Sequence, residues 1–178
     1  KRPEMEQALQ RRVDELWDSG IVVVCAAGNK GPGNNTISAV SGSRKVITVG
    51  CHDGNFCKNN PKRCETYSGR GPALMPIRKP DLVAPGTDII SCNAFYSKMP
   101  GNRHEPYTVK SGTSMATPHV AGGMLLVKQA LREQYPEATA AEINELAHNY
   151  LLSTAHCIDY EAVRKQGAGM MDLASAIK

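Results

Sequence analysis

Hydrophobic residues recur with two different spacings along this chain, and the spacings predict alternating helices and strands. Between residues 5 and 17 they lie three or four positions apart, which predicts an amphipathic helix that ends at Gly20. Short β-branched runs follow at residues 21–25 and 45–50. Runs of this kind are typical of strands that are buried on both faces.

A third strand is predicted from the segments PDLVAPG and DIISC, with an interruption at Pro85 and Gly86. The segment PYTVKSG then leads to a long apolar stretch at residues 115–131, which predicts a buried helix.

Two more helices are predicted towards the carboxyl end. The first covers residues 142–152, and Thr139 and Glu142 before it have the spacing of a capping box. The second is short and covers residues 171–177. The alternation of helices with apolar strands predicts an α/β fold, with a largely parallel sheet flanked by helices.

Length and composition limit the class of protein. A chain of 178 residues with 41% hydrophobic and 21% charged residues fits one globular domain, spanning residues 1–178. No apolar run approaches the roughly 18 residues of a membrane span, so no membrane partner is expected. The net charge of +4 is scattered and has few aromatic residues nearby, which disfavours a nucleic-acid partner.

Six cysteines leave three interpretations open. Cys25 lies in an apolar run and is expected to pack as a small hydrophobic residue. Cys51, His52, Cys57 and Cys64 have the residue types of a metal site but lack the paired C-x2-C spacing of structural zinc. A Cys57–Cys64 disulfide and free thiols are the alternatives.

The stretch SGTSMATPHVAG places Ser114 at the predicted start of the long helix. Pro118 fits the first turn of a helix, where the backbone N–H groups have no partner within the helix. Ser114 is therefore either a helix cap or a nucleophile whose developing negative charge the helix amino terminus stabilises.

A second candidate, Asn29, follows the first strand within the segment AAGNKGPG. Ligand groups gather at the carboxyl ends of parallel strands, and the Asn29 amide can donate a hydrogen bond to an oxyanion there. An ordinary turn is the alternative. The segment lacks the residue order of a phosphate-binding loop.

Together these segments resemble one family. AAGNKG, VITVG, YSGRGP, KPDLVAPG and above all SGTSMATPHVAGG look like the motifs of the subtilisin-like serine proteases, and they occur in the order found in that family. The resemblance implies the carboxyl-terminal portion of a subtilisin-like fold, a peptide or protein substrate, and amide hydrolysis through an acyl-enzyme. It implies that Ser114 is the nucleophile, and that Asn29 and the Ser114 backbone N–H bind the oxyanion.

The resemblance also implies roles for neighbouring positions. Thr113 would help to shape the site, and His119 would be a buried structural residue of the helix. The expected substrate-binding residues are Ala26, Ala27, Gly28 and, on another part of the pocket, Ser38 in the segment 38–41. Gly122 and Gly123 are expected to let the helix pack closely against the sheet.

The general base is missing from this pattern. In subtilases the catalytic residues follow in the order Asp, His, Ser, but no histidine stands among the 25 residues before Ala26. Asp14 and Asp18 lack the D-[ST]-G setting of the family's aspartate. We therefore expect an N-terminal protease chain that carries Asp and His as a partner, and the abrupt start at Lys1 favours a cut end.

Two alternatives remain at this point. One is a non-catalytic binding module with a subtilase fold, and the other is a Cys/His metal-binding protein. No cofactor and no metal ligand are assigned. Calcium often stabilises subtilases, but the acidic loop that usually binds it would lie upstream in the complete enzyme. The resemblance and the basic charge favour a secreted protein.

Overall fold

The computed structural model describes residues 2–57, 59–71, 78–99, 101 and 103–178. Pro72, the last residue of the YSGRGP motif, lies outside them. The helices are α1 (Arg2–Asp18), α2 (Thr113–Gln134), α3 (Ala140–Ser153), α4 (Val163–Gln166) and α5 (Leu173–Ala176). The strands are β1 (Val23–Ala26), β2 (Val46–Cys51), β3 (Leu82–Ala84), β4 (Ile89–Cys92) and β5 (Tyr107–Lys110).

A three-stranded parallel sheet lies at the centre of the fold. Its strand order is β1–β2–β3, with Val24 opposite Ile47 and Val49 opposite Leu82. All six residues of β2 are buried, because a strand lies on each side of it and helix α2 packs against it. The predicted α/β fold with a parallel sheet is confirmed.

The predicted third strand is wrong in one respect, because Pro85 and Gly86 end it. Only β3 belongs to the parallel sheet, whereas β4 pairs with β5 in a separate antiparallel hairpin. The chain turns at Asp88, whose φ of +54° lies in the left-handed region. Hydrophobic periodicity identifies a strand but does not specify its partner.

The two helix ends predicted from sequence signals are confirmed. Helix α1 stops before Gly20, which has a φ of +88° and donates its N–H to the carbonyl of Trp17 at 2.9 Å. Helix α3 begins with the expected capping box. Glu142 N donates to Thr139 Oγ1 at 3.2 Å, and Thr139 N donates to Glu142 Oε2 at 2.8 Å.

One hydrophobic core joins the sheet to helices α1, α2, α3 and α5. Helix α2 contacts all three strands and α3, and Trp17 of α1 is only 1% exposed. The side chains of this core that are largest and fully buried are Trp17, Ile47, Val49, Leu82, Val120, Met124, Val127, Ile143 and Leu151.

The two glycines of α2 do not have the expected role. A Cβ on Gly123 would lie 2.8 Å from the Met171 sulfur, so this glycine admits the carboxyl-terminal segment and not the sheet. Gly122 faces open space. It belongs to an outward face of α2 on which Leu125 is 69% exposed and Leu126 is 49% exposed.

A buried ion pair fixes the start of β3 against β2. Lys79 Nζ donates to Asp81 Oδ2 and to the Val46 carbonyl, both at 2.6 Å, and Thr48 N donates to the same Asp81 oxygen. Burial lowers the pKa of Lys79, and the neighbouring Asp81 opposes that shift.

Cys51 and Cys64 form a disulfide, with their Cα atoms 5.8 Å apart. Of the alternatives left open by the sequence, the Cys57–Cys64 pairing is therefore wrong, and the free-thiol alternative holds for Cys57 but not for Cys51 and Cys64. The segment that follows Cys64 packs along the end of β2, where Cys51 N donates to Ser68 Oγ at 2.9 Å. This packing brings Cys64 to Cys51 and not to its nearer neighbour in sequence.

Within the described ranges, no helix has the length and apolar character needed to cross a membrane.

Peptide mapping without reduction tests the pairing. Cleavage after Phe56 and Arg63 separates Cys51, Cys57 and Cys64 onto different peptides. We expect a cross-linked pair containing Cys51 and Cys64 and an alkylated Cys57, and a Cys57→Ser control should leave the cross-link intact. A Cys57–Cys64 cross-link would contradict the structure.

Candidate active site

Ser114 is the second residue of α2 and is exposed at the amino terminus of that helix. The residue before the helix is Gly112, whose φ of +146° is a conformation that favours glycine. A Cβ at Gly112 would lie 3.2 Å from Asn29 Nδ2, so the missing side chain also permits a close approach. Gly112 has no side chain with which to cap this helix amino terminus.

Asn29 is brought directly to the start of α2. Its Oδ1 accepts hydrogen bonds from Thr113 N and Thr113 Oγ1, both at 3.0 Å. These two donors fix which end of the amide is oxygen, so the NH2 group is turned away from Thr113. No hydrogen-bond acceptor for Nδ2 is found among the residues that the structure describes. The arrangement leaves an oriented donor beside Ser114, where an anion would also meet the helix dipole.

A turn after β3 supports the residues that precede the helix. Gly112 N donates to the Gly86 carbonyl at 2.8 Å, and Asp88 N donates to Ser111 Oγ at 2.8 Å. A Cβ on Gly86 would lie 2.6 Å from the Gly112 carbonyl oxygen. The sequence contains both motifs, PDLVAPG and SGTSMATPH, but reasoning from the sequence assigns no contact between them. The glycine in each motif is the available signal.

The expected pocket residues gather at the end of β1. Ser38 N donates to the Ala27 carbonyl at 3.2 Å, and Ser41 Oγ donates to the Ala26 carbonyl at 3.1 Å. Gly28 follows with a φ of +95°, which turns the chain towards Asn29. The structure thus places Ala26, Ala27, Gly28 and Ser38 together at the end of β1. Asn29 follows directly after Gly28.

Burial raises the pKa of the Cys25 thiol, although Lys79 acts in the opposite direction. Cys25 lies in β1 immediately before Ala26. The shift favours the neutral thiol, so Cys25 is not an activated nucleophile.

A groove of about 320 Å³ contains Ser114, between the start of α2 and strand β4. His119 also lines this groove and is exposed to solvent. The expectation that His119 is buried is therefore wrong. Its Nδ1 lies 2.9 Å from the Met115 carbonyl, which can only accept, so Nδ1 carries a proton. Burial of His119 would require a surface that covers this face of α2.

The structure does not assemble the four-residue metal site considered above, because Cys51 and Cys64 are joined as a disulfide. His52 instead faces two carboxylates, with Nε2 at 3.4 Å from Glu65 and 3.9 Å from Glu161. Its Nδ1 accepts the Gly54 N–H at 2.9 Å, so Nε2 carries the proton of the neutral ring. A metal ion would need a free lone pair at Nε2, and this tautomer of His52 does not offer one.

The two carboxylates near His52 already have cationic partners. Glu65 pairs with Arg63 and Glu161 pairs with Lys165, each at 2.7 Å. A divalent cation would add positive charge to a cluster that is already balanced. His52 Nε2 has no hydrogen-bond partner among the described residues, and the paired carboxylates that it faces give no support to a metal ion there.

Comparison with known proteins gives a consistent family. The family model described as Subtilase family matches residues 2–169. Among curated relatives, the serine protease AprX of Bacillus subtilis (strain 168) is 41% identical over 152 residues, which is 82% of this chain and 34% of that protein. Subtilisin DY of Bacillus licheniformis is 37% identical over 155 residues, covering 86% of this chain and 46% of that protein.

Solved structures agree at the level of the fold. A lanthipeptide protease superposes with a TM-score of 0.71 over 98% of this chain and 55% of its own, at 23% sequence identity. The prenylagaramide maturation protease PagA superposes with a TM-score of 0.66 over 94% of this chain and 53% of its own, also at 23% identity. This chain spans between a third and a half of the length of AprX and of subtilisin DY, the two curated relatives.

Proposed function

The chain belongs to the subtilase family, and on this premise we propose that it supplies the nucleophile and the oxyanion-binding groups of a serine endopeptidase. The observation that carries the proposal is the fixed amide of Asn29. Thr113 holds its oxygen through two hydrogen bonds of 3.0 Å, beside the exposed Ser114 at the start of α2. A binding module has no need for such an oriented donor next to a serine.

The proposed reaction is peptide hydrolysis in two steps. Ser114 Oγ attacks the scissile carbonyl while a histidine base takes its proton, and the carbonyl oxygen becomes an oxyanion. Asn29 Nδ2 and the Ser114 N–H donate to that oxyanion. Collapse expels the amine, which receives the proton from the histidine and leaves an acyl-enzyme. Water then hydrolyses the ester, and no cofactor takes part.

We propose that the pocket at the end of β1 receives the substrate side chain that precedes the scissile bond. Ala26, Ala27 and Gly28 would form one wall, and Ser38 another part of the pocket. The hydrogen bonds from Ser38 and Ser41 to the carbonyls of Ala27 and Ala26 support this assignment, because they hold the two parts together. Thr113 would act by holding Asn29.

The base and its carboxylate are proposed to come from a segment outside these 178 residues. The described contacts include no hydrogen bond between Ser114 and any histidine. The outer edge of β1 pairs with no described strand, and Leu125 and Leu126 are exposed on α2. Both surfaces would be buried by a segment that bears Asp and His. The Cys51–Cys64 disulfide supports a secreted location, because disulfides persist in oxidising compartments.

The first test of this proposal removes the nucleophile. In a complete protease that contains this chain, Ser114→Ala should abolish the burst with an active ester while leaving thermal stability nearly unchanged, because the side chain is exposed and small. Ser153→Ala, on α3, is the matched control and should keep the burst. A normal burst from the Ser114→Ala variant would refute the assignment.

The second test removes the oxyanion donor. Asn29→Leu should lower kcat by roughly 10²–10³-fold with little change in KM, since the donor acts mainly in the transition state. This range is the one measured for the side-chain oxyanion donor of subtilisin, which belongs to the same family. Asn149→Leu, at an exposed position of α3, should leave kcat unchanged. A loss confined to KM would count against the role.

The third test supplies the missing base. The isolated chain should label poorly with a fluorophosphonate, and addition of a subtilase segment with its Asp and His should restore labelling and hydrolysis. A segment in which that histidine is replaced by alanine is the control and should not restore either. Association should also raise the melting temperature by mass action. Strong labelling of the isolated chain would place the base within it, with His119 as the first candidate.

A further inference from the structure

Asp53 is a buried acidic residue that the proposed reaction does not use. It follows β2 and is 3% exposed, and its carboxylate accepts three hydrogen bonds. Gly86 N and Thr87 N each donate to Oδ1 at 2.9 Å, and the Thr87 hydroxyl donates to Oδ2. Both carboxylate oxygens therefore hold the turn that follows β3.

Thr87 extends this network to the disulfide. Its Oγ1 donates to Asp53 and accepts the Cys64 N–H at 2.8 Å, so its hydroxyl both donates and accepts. Thr87 is 5% exposed and Cys64 is 0% exposed. The turn is thus attached to β2 through Asp53 and to the segment after the disulfide through Thr87.

The same turn carries the residues that precede the proposed nucleophile. The carbonyl of Gly86 accepts the Gly112 N–H at 2.8 Å, and Gly112 is the residue from which α2 begins. Asp88 N donates to Ser111 Oγ at 2.8 Å, and Ser111 Oγ lies 3.2 Å from Asp88 Oδ1. Gly86 therefore connects two hydrogen bonds, because its N–H donates to Asp53 and its carbonyl accepts the N–H of Gly112.

The turn needs external support to keep its shape. Asp88 adopts a φ of +54°, which costs a non-glycine residue free energy. Gly86 has no room for a side chain, since a Cβ there would meet Gly112 O at 2.6 Å and Cys51 Sγ at 2.8 Å. Local preference does not hold this conformation, so the hydrogen bonds that the Asp53 carboxylate accepts from Gly86 and Thr87 must contribute to it.

From these contacts we propose that Asp53, held in place by the Thr87 hydroxyl, is a positioning residue for Ser114, acting through the 86–88 turn and Gly112. It touches neither substrate nor reacting atoms. It fixes the turn that accepts the Gly112 N–H before the start of α2. Ser114 lies two residues after Gly112, so its position depends on this turn. The catalytic part of this inference rests on the proposed nucleophile, whereas the link from Asp53 to Gly112 is independent of it.

Thr87 offers the sharper variant, because replacing Asp53 itself risks the fold. Thr87→Val keeps the shape of the side chain but removes the hydroxyl, which leaves Asp53 Oδ2 and the Cys64 N–H without that partner. Thr87→Ser retains the hydroxyl and is the conservative rescue. The matched control is Asn144→Leu, which disrupts another fully buried polar group, bonded to Lys128 and Trp17 and separate from the 86–88 turn.

The first readout is kinetic and uses the complete protease. Active-site titration counts the folded, competent enzyme, so kcat per titrated site does not change when a variant merely reduces the folded fraction. Thr87→Val should lower this kcat about 10- to 100-fold, as misplacement of about 1 Å can, with KM within about twofold of the wild type. Thr87→Ser should stay near the wild type. Asn144→Leu should lower the melting temperature but retain kcat.

The second readout is amide hydrogen exchange of the peptide that contains Gly112, which requires no activity. Thr87→Val should speed this exchange about tenfold relative to Thr87→Ser, while peptides of α3 remain unchanged. Unchanged exchange at Gly112 would overturn the link itself. Faster exchange with unchanged kcat would overturn the positioning role. An inactive wild type would refute the proposed function, whereas the exchange result would still decide the link.

Discussion

The start of helix α2 is fixed by hydrogen bonds to the segments that follow two different strands. Gly112 N donates to Gly86, after β3, and Thr113 donates twice to Asn29, after β1. Both strands flank β2 in one parallel sheet, so the sheet sets the distance between the two anchoring segments. The position of Ser114 is therefore a property of the sheet, and Asn29 supplies the acceptor for the Thr113 N–H that Gly112 cannot supply.

Much of this arrangement can be predicted from the sequence, because buried positions recur as hydrophobic residues at a regular spacing. The β-branched run of β2 and the capping box of α3 both follow from spacing alone. Hydrophobic spacing does not depend on which strand a strand pairs with. The sequence therefore predicts β4 as part of the parallel sheet, although it pairs with β5. The disulfide cannot be predicted either, because Cys64 reaches Cys51 through the packing of a loop and not through spacing along the chain.

The exposure of His119 shows a different limit. The positions Ser114, Pro118, Gly122 and Leu125 recur at helical spacing and are all exposed, on the side of α2 turned away from the core. A sequence pattern reports that a face is apolar, but whether that face is buried depends on what covers it. The mixed character of this face, with a serine and a histidine near one end and leucines near the other, fits a surface that is shared with another segment.

The two parts of the proposed catalytic apparatus depend on different forces. Asn29, the proposed oxyanion donor, is held by two directional hydrogen bonds within this chain, since Thr113 uses both its N–H and its hydroxyl to fix it. In the proposed reaction this donor would be oriented before substrate arrives, which would avoid reorganisation during the reaction. The base would be placed by burial of apolar surface such as Leu125 and Leu126, and this force has no direction. Alignment of the base with Ser114 therefore requires that the start of α2 be rigid, because a contact without direction cannot correct a displaced nucleophile.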